Sequence, residues 1–184
     1  MALFEAWLTS SKLGRQLTDL TAMLRSIHTS FALVGGLALA SHHVVRATQD
    51  IDLLVDVDRA DDIETELIKL GYSRLYRSAD VANYTLGDES VYLLYASRPI
   101  ARRLREAALV VSTSLGEIPV IGLEGLIAFK LQGVVNEPRR TQDIQDIRAL
   151  LRANRGIVKL DEVAEYFRLF NREQLLNELL IETA

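Results

Sequence analysis

Cysteine is absent from this chain of 184 residues. That excludes disulfides and thiolate metal sites, and it fits a reducing compartment. No segment approaches the roughly 20 consecutive apolar residues of a membrane-spanning helix. A basic excess is missing too. The 21 Lys and Arg face 25 Asp and Glu, for a formal net charge of −4, so the chain as a whole is not drawn to nucleic acid or an anionic membrane. The acidic balance and the single tryptophan argue against extensive RNA binding. The opening MALFEAWLTSSK has Glu5 and no basic stretch, so it does not read as a secretory signal. Repeats and low-complexity segments are lacking. The expectation is a soluble, cytoplasmic protein with no membrane partner.

What is present is ordinary for a globular protein: 49% hydrophobic and 25% charged residues. A normal core is available without a metal or disulfide staple. Leu13, Leu17, Leu20, Leu24 and Ile27 recur in steps of four and three, one face of an amphipathic helix. SFALVGG reads as a buried strand ending in a glycine turn, LALASHHV as a short helix and DIDLLVDV as a strand. Asp58 is placed to cap the helix RADDIETELIKLG, which Gly71 ends. GYSRLYRS, VANYTLG and SVYLLYAS read as strands, RPIARRLREAAL as a basic helix, and LVVSTS with EIPVIG as a strand pair turned at Gly116. From Leu123 onward four helices follow, with Asp161 as a cap for the third and Asn171 with Gln174 as a capping box for the fourth. The expected fold is α+β: a mixed sheet flanked by helices over residues 1–122, then a helical part, residues 123–184, packed on it.

Two features ask for more than packing. Gly35 and Gly36 turn a strand into a helix, which presents free backbone N–H groups to an anion such as phosphate. A bare Gly-Gly also suits an ordinary tight turn. Asp50 and Asp52 stand two apart on a strand, so their carboxylates share one face, about 6.5–7 Å apart at Cα, while Ile51, Leu53 and Val55 face the core. Such a pair is stable when solvated or when bridged by a cation such as Mg²⁺. Both readings stand on the sequence alone.

Thirteen residues separate Gly36 from Asp50. LVGG…DIDL resembles the signature of the nucleotidyltransferase superfamily, the polymerase-beta-like fold. RATQDIDLLV and GLIAFKL…RRTQDIQDIRALL look like its abortive-infection, AbiEii-like toxin branch and related bacterial families. The resemblance covers roughly residues 31–152. It implies that Gly35 and Gly36 hold a triphosphate and that Asp50 and Asp52 are catalytic and bind Mg²⁺ (or Mn²⁺). It implies transfer of a nucleoside monophosphate from a nucleoside triphosphate to an acceptor, with tRNA or a protein as candidates. The alternative is a catalytically degenerate nucleotide-binding or toxin–antitoxin-type interaction protein.

Lys130 falls in the middle of the apolar stripe Leu123, Leu126, Ile127, Leu131 and Val134. It either snorkels to water or brings its ammonium to a nucleotide phosphate. On the second reading Lys130→Met keeps or raises stability and lowers nucleotide affinity. Asp143 and Asp146, on the next helix, are read as structural, as partners of Lys130 or of arginines or as caps. Arg46 is either a phosphate contact or a surface arginine. His42 and His43, adjacent on a helix, diverge by about 100° and are read as solvated. Arg102, Arg103 and Arg105 make a basic helix face that could meet RNA. The superfamily's usual third carboxylate has no counterpart. Tyr92 stands at that position, and Glu89, just upstream, could replace it only if the strand register shifts.

Overall fold

Leucine spacing becomes helix α1 (Lys12–Ser26). Leu17, Leu20 and Leu24 are almost fully buried, and Ser11 closes its start by accepting a hydrogen bond from the Gly14 N–H at 3.0 Å. The structure, a computed structural model, describes residues 11–183. The first ten residues, on which the absence of a secretory signal was read, lie outside the described residues.

Among the described residues seven short strands form one mixed sheet in the order β3-β4-β5-β2-β1-β7-β6. They are β1 (Phe31–Val34), β2 (Asp50–Val55), β3 (Ser73–Arg77), β4 (Val81–Leu86), β5 (Glu89–Tyr95), β6 (Leu109–Thr113) and β7 (Gly116–Val120). β2 runs parallel to β5 and antiparallel to β1, and β1 runs parallel to β7. β1 and β2 lie inside the sheet, and apart from Asp50 and Asp52 every residue of the two strands is buried. Ile51, Leu53 and Val55 are fully buried, as the period-two reading expects. Helices α2 (Gly35–Ala38), α3 (Ala60–Lys69) and α4 (Pro99–Glu106) interrupt the strands.

The chain divides into two compact units. One runs to Ala38 and resumes at Ala47–Ile121, and it holds the whole sheet. The other joins Leu39–Arg46 to the chain from Gly122 onward. It contains a 3₁₀ turn (Leu39–His42) and helices α5 (Leu123–Asn136), α6 (Thr141–Ala153), α7 (Leu160–Leu169) and α8 (Glu173–Thr183). The fold class is α+β, a mixed sheet with helices and a helical C-terminal part. Among the described residues no helix is long and apolar enough to cross a membrane.

Three expected caps fall elsewhere. Asp58 caps nothing: Asp56 accepts from the Asp58 N–H and closes a 3₁₀ turn ahead of α3, whose own cap position is Arg59. Asp161 lies inside the first turn of α7, behind Lys159, where its charge suits the helix dipole. Asn171 ends α7 rather than starting α8. Its φ is +54°, its N–H bonds the Arg168 carbonyl, and the Arg172 N–H bonds the Phe167 carbonyl. That is a Schellman end, which the short polar side chain of asparagine tolerates.

Candidate functional site

β2 presents Asp50 and Asp52 half-buried on one face, at the end of the strand where burial on that face gives way. Leu54, two residues on, is already buried. Cross-strand partners share a face, so the register extends the row. Asp52 lies across from Val34 on β1 and from Tyr92 on β5, and Tyr92 lies across from Asn83 on β4. A second row runs from Asp50 through Ser90 to Thr85. In these rows the two aspartates are the only charged side chains.

Gly35 meets this face directly. Its φ is +64°, and a Cβ there would stand 1.8 Å from Oδ2 of Asp52. The carboxylate occupies the space that any other residue would fill. The glycine is therefore required twice, by conformation and by contact. Gly35→Ala is expected to destabilise the protein by about 1–3 kcal/mol through the left-handed backbone alone, with the Asp52 carboxylate displaced as well. Urea unfolding measures the loss, and an unchanged midpoint would show that this contact does not form.

The sheet register puts Tyr92, not an acid, beside Asp52. Glu89 does not replace it. It lies one residue before Ser90, on the opposite face of β5, and its carboxylate pairs with Lys12 at 3.3 Å. No register shift occurs between β2 and β5 to bring it round. Among the described residues no group of three or more His, Asp or Glu is placed to hold a metal ion. Asn83, which the sequence reading passed over, carries a buried Oδ1 with no hydrogen-bond partner.

Lys130 belongs to a different constellation, inside the helical unit. It is 7% exposed, and its Nζ stands 2.8 Å from Asp143 and 2.7 Å from Asp146. Neither snorkelling nor a free ammonium describes it. Arg46 grips Asp146 with two hydrogen bonds, Nε to Oδ1 at 2.9 Å and Nη2 to Oδ2 at 3.1 Å, and the Gln142 amide adds a third at 3.0 Å. Arg140 reaches Asp143 at 3.0 Å. Burial by itself would raise the Asp146 carboxyl, but the hydrogen bonds and charges of Arg46 and Lys130, with Gln142, outweigh it and hold it below the usual carboxylate range.

Gly133 makes this possible. A Cβ there would fall 2.5 Å from Oδ2 of Asp143. Asn154, buried just past the end of α6, donates to the carbonyls of His42 and Leu150, both at 2.9 Å. His42 is buried and His43 exposed, so the expected solvated pair is half wrong. His43 takes φ +64° at the end of the 3₁₀ turn. The basic face of α4 is also largely spent on the fold. Arg105 is 8% exposed and pairs with Asp56 at 3.4 Å, while Arg102 donates to the carbonyls of Ala96 and Ser97, each at 3.1 Å.

No protein-family model matches the sequence, and no curated protein does. Solved structures do. The antibiotic-resistance factor ANT(2″)-Ia, in its solution structure, superposes with a TM-score of 0.67 at 15% identity, over 91% of this chain and 96% of its own. An antigenic nucleotidyltransferase-like protein from Paracoccidioides brasiliensis gives 0.57 at 19% identity, over 93% of each chain. The lincosamide antibiotic adenylyltransferase LnuA, bound to lincomycin, gives 0.57 at 15%, over 78% of this chain and 97% of its own. These superpositions, on a chain with a mixed seven-stranded sheet and flanking helices among its described residues, show a nucleotidyltransferase-like α+β fold.

Proposed function

We propose that this chain binds a nucleoside triphosphate together with Mg²⁺ (or Mn²⁺) and transfers the nucleoside monophosphate, slowly, to a hydroxyl group of a small acceptor. The observation that carries the reading is the Asp52 carboxylate lodged against the Gly35 backbone, which joins a candidate metal ligand to a candidate phosphate turn. Asp50 and Asp52 would hold the ion. Two oxygen donors on one face fit Mg²⁺, which commonly takes one or two carboxylates and fills its remaining positions with phosphate and water. When bound, the ion supplies charge neutralisation for in-line displacement at phosphorus.

The chain's own groups divide the remaining work. The N–H groups of the Gly35–Gly36 turn would hold the phosphates. The helix α2 is a single turn, so close backbone approach matters here more than the dipole. In the transfer an acceptor oxygen–phosphorus bond forms, the bond to the leaving pyrophosphate breaks, and the acceptor proton passes to a base. A phenol is neutral near pH 7, so Tyr92 can orient an oxygen by donating a hydrogen bond but cannot take that proton as a carboxylate would. Lys130 and Arg46 are proposed as scaffold rather than phosphate ligands, because Asp143 and Asp146 engage them. The core, residues 1–122, would carry the nucleotide, and residues 123–184 its helical support.

A small hydroxylated acceptor is favoured over tRNA or a protein. Two of the three arginines on α4 are tied into the fold, and the similar ANT(2″)-Ia is solved with adenylyl-2″-tobramycin. Tyr92 favours a second reading: a degenerate member, of the abortive-infection, toxin–antitoxin type, that binds nucleotide without transferring it. A cytoplasmic location accompanies either reading.

A thermal melt with Mg²⁺ and each of ATP, GTP, CTP and UTP tests the binding. Ligand at 100 times its Kd adds about 2.7 kcal/mol, or roughly 5–10 °C for a chain of this size. A flat melt with all four would sink both readings. Tyr92→Asp is expected to raise transfer by up to the roughly 10²–10⁴ that a placed general base supplies. Brisk turnover by the natural chain, unimproved by that change, would show that Tyr92 does not limit it.

A further inference from the structure

The two edges of the sheet are built differently. β3, at one end, carries the devices that discourage strand pairing. A bulge breaks its ladder between Arg74 and Tyr76, and Arg74 and Arg77 stand on it, paired with Glu64 and Asp61 on α3. β6, at the other end, has none of them. Its sequence, Leu109-Val110-Val111-Ser112-Thr113, contains no charge, proline or glycine, and its pairing with β7 is regular from Leu109↔Val120 to Thr113↔Gly116. Leu109 and Val110, which point to opposite faces, are 56% and 63% exposed. Among the described residues β7 is the only strand that pairs with β6.

We propose that β6 is a dimerisation strand, joined antiparallel to β6 of a second copy of this chain about a two-fold axis at Val111. Full overlap of the five residues sets the register. Leu109 lies opposite Thr113 of the second copy, Val110 opposite its Ser112, and Val111 opposite its Val111. Outward N–H and C=O groups of each edge find partners, and the exposed leucine and valine gain apolar neighbours on both faces. The charge pattern suits a second copy as the occupant. A strand that pairs with itself sets every charge near its own like, and β6 has none to oppose. The nearest on the hairpin, Glu117, sits one strand inward across from Ser112. In the dimer the two Glu117 residues are three strand spacings apart, about 14 Å, beyond the screening length of roughly 8–10 Å. β3 could not pair with itself so freely, since its arginines would meet.

Sedimentation velocity on the full chain, up to roughly 100 μM, tests the proposal, because a dimer of this kind is concentration-dependent. The expected result is a species of twice 20.6 kDa. Val110→Lys puts a charge on the open edge and is expected to give the monomer with an unchanged circular dichroism spectrum. The absence of cysteine supplies a second arm. Val111→Cys faces its own copy across the axis and is expected to form a disulfide-linked dimer under mild oxidant, whereas Ile157→Cys, exposed in the helical unit, is not. A natural chain that stays monomeric over the whole range overturns the proposal. So does a Val110→Lys chain that still dimerises, or equal cross-linking at Ile157. None of these readouts involves nucleotide.

Discussion

Lys130→Met is expected to cost the fold about 3–5 kcal/mol, the usual penalty for removing one partner of a buried ion pair. For a chain of this size that is a melting temperature lowered by roughly 6–20 °C. The sequence alone led to the opposite expectation, because a lysine on an apolar stripe looks like a charge the core would gladly lose. In the structure its ammonium lies between two buried carboxylates, and methionine would leave Asp143 and Asp146 facing each other without it. Arg140 and Arg46 would still hold one acid each, which keeps the penalty within this range. If Lys130 is scaffold, the Mg²⁺–nucleotide shift of the folded variant is retained. Unchanged stability with a lost shift would restore the phosphate role.

The same cluster sets a pH dependence. The Asp146 carboxyl is depressed in the fold from its ordinary value of 3.8. Its contribution to stability is therefore complete above that value and is lost as the pH falls through the lower folded value. Urea midpoints should hold at neutral and mildly acidic pH and drop below about pH 4. Asp146→Asn should start lower and show a shallower slope in that acid window.

Asp52→Asn is expected to abolish the Mg²⁺-dependent nucleotide shift, about 2.7 kcal/mol at 100 times Kd, with little change in the unliganded melt. The substitution keeps the shape that Gly35 accommodates and removes the charge that a cation requires. Asp52 sits on the half-buried face of β2, opposite the packed Ile51 and Leu53, so the core is untouched. A variant that unfolds, or one that binds Mg²⁺–ATP as before, would refute the assignment.

The acid pair was legible because strand alternation is local: two residues apart means one face, whatever surrounds the strand. The glycine turn was legible for a related reason, since a glycine pair after an apolar run marks a local turn, and glycine takes the φ of +64° found at Gly35 at the least cost. The contact between them was not, because nothing in the spacing says that Gly35 touches Oδ2 of Asp52. Tyr92 illustrates the middle case. Its place opposite Asp52, forty residues earlier, was reached by resemblance and follows physically from the pairing of β2 with β5.

The sequence by itself determined the strands, the apolar faces of the central strands and the long helices, and the pair of acids at the open end of β2. Each of these depends on neighbours within one or two turns or a few strand residues, where backbone geometry leaves few choices. Tertiary structure alone decided what the charges do. Lys130 meets Asp143 and Asp146, Arg46 meets Asp146 a hundred residues away, and Arg105 is buried against Asp56. A charge on an amphipathic pattern looks the same whether it faces water, a ligand or another charge. The free energy of that choice lies in desolvation and pairing, which depend on which distant groups the fold brings within about 3 Å.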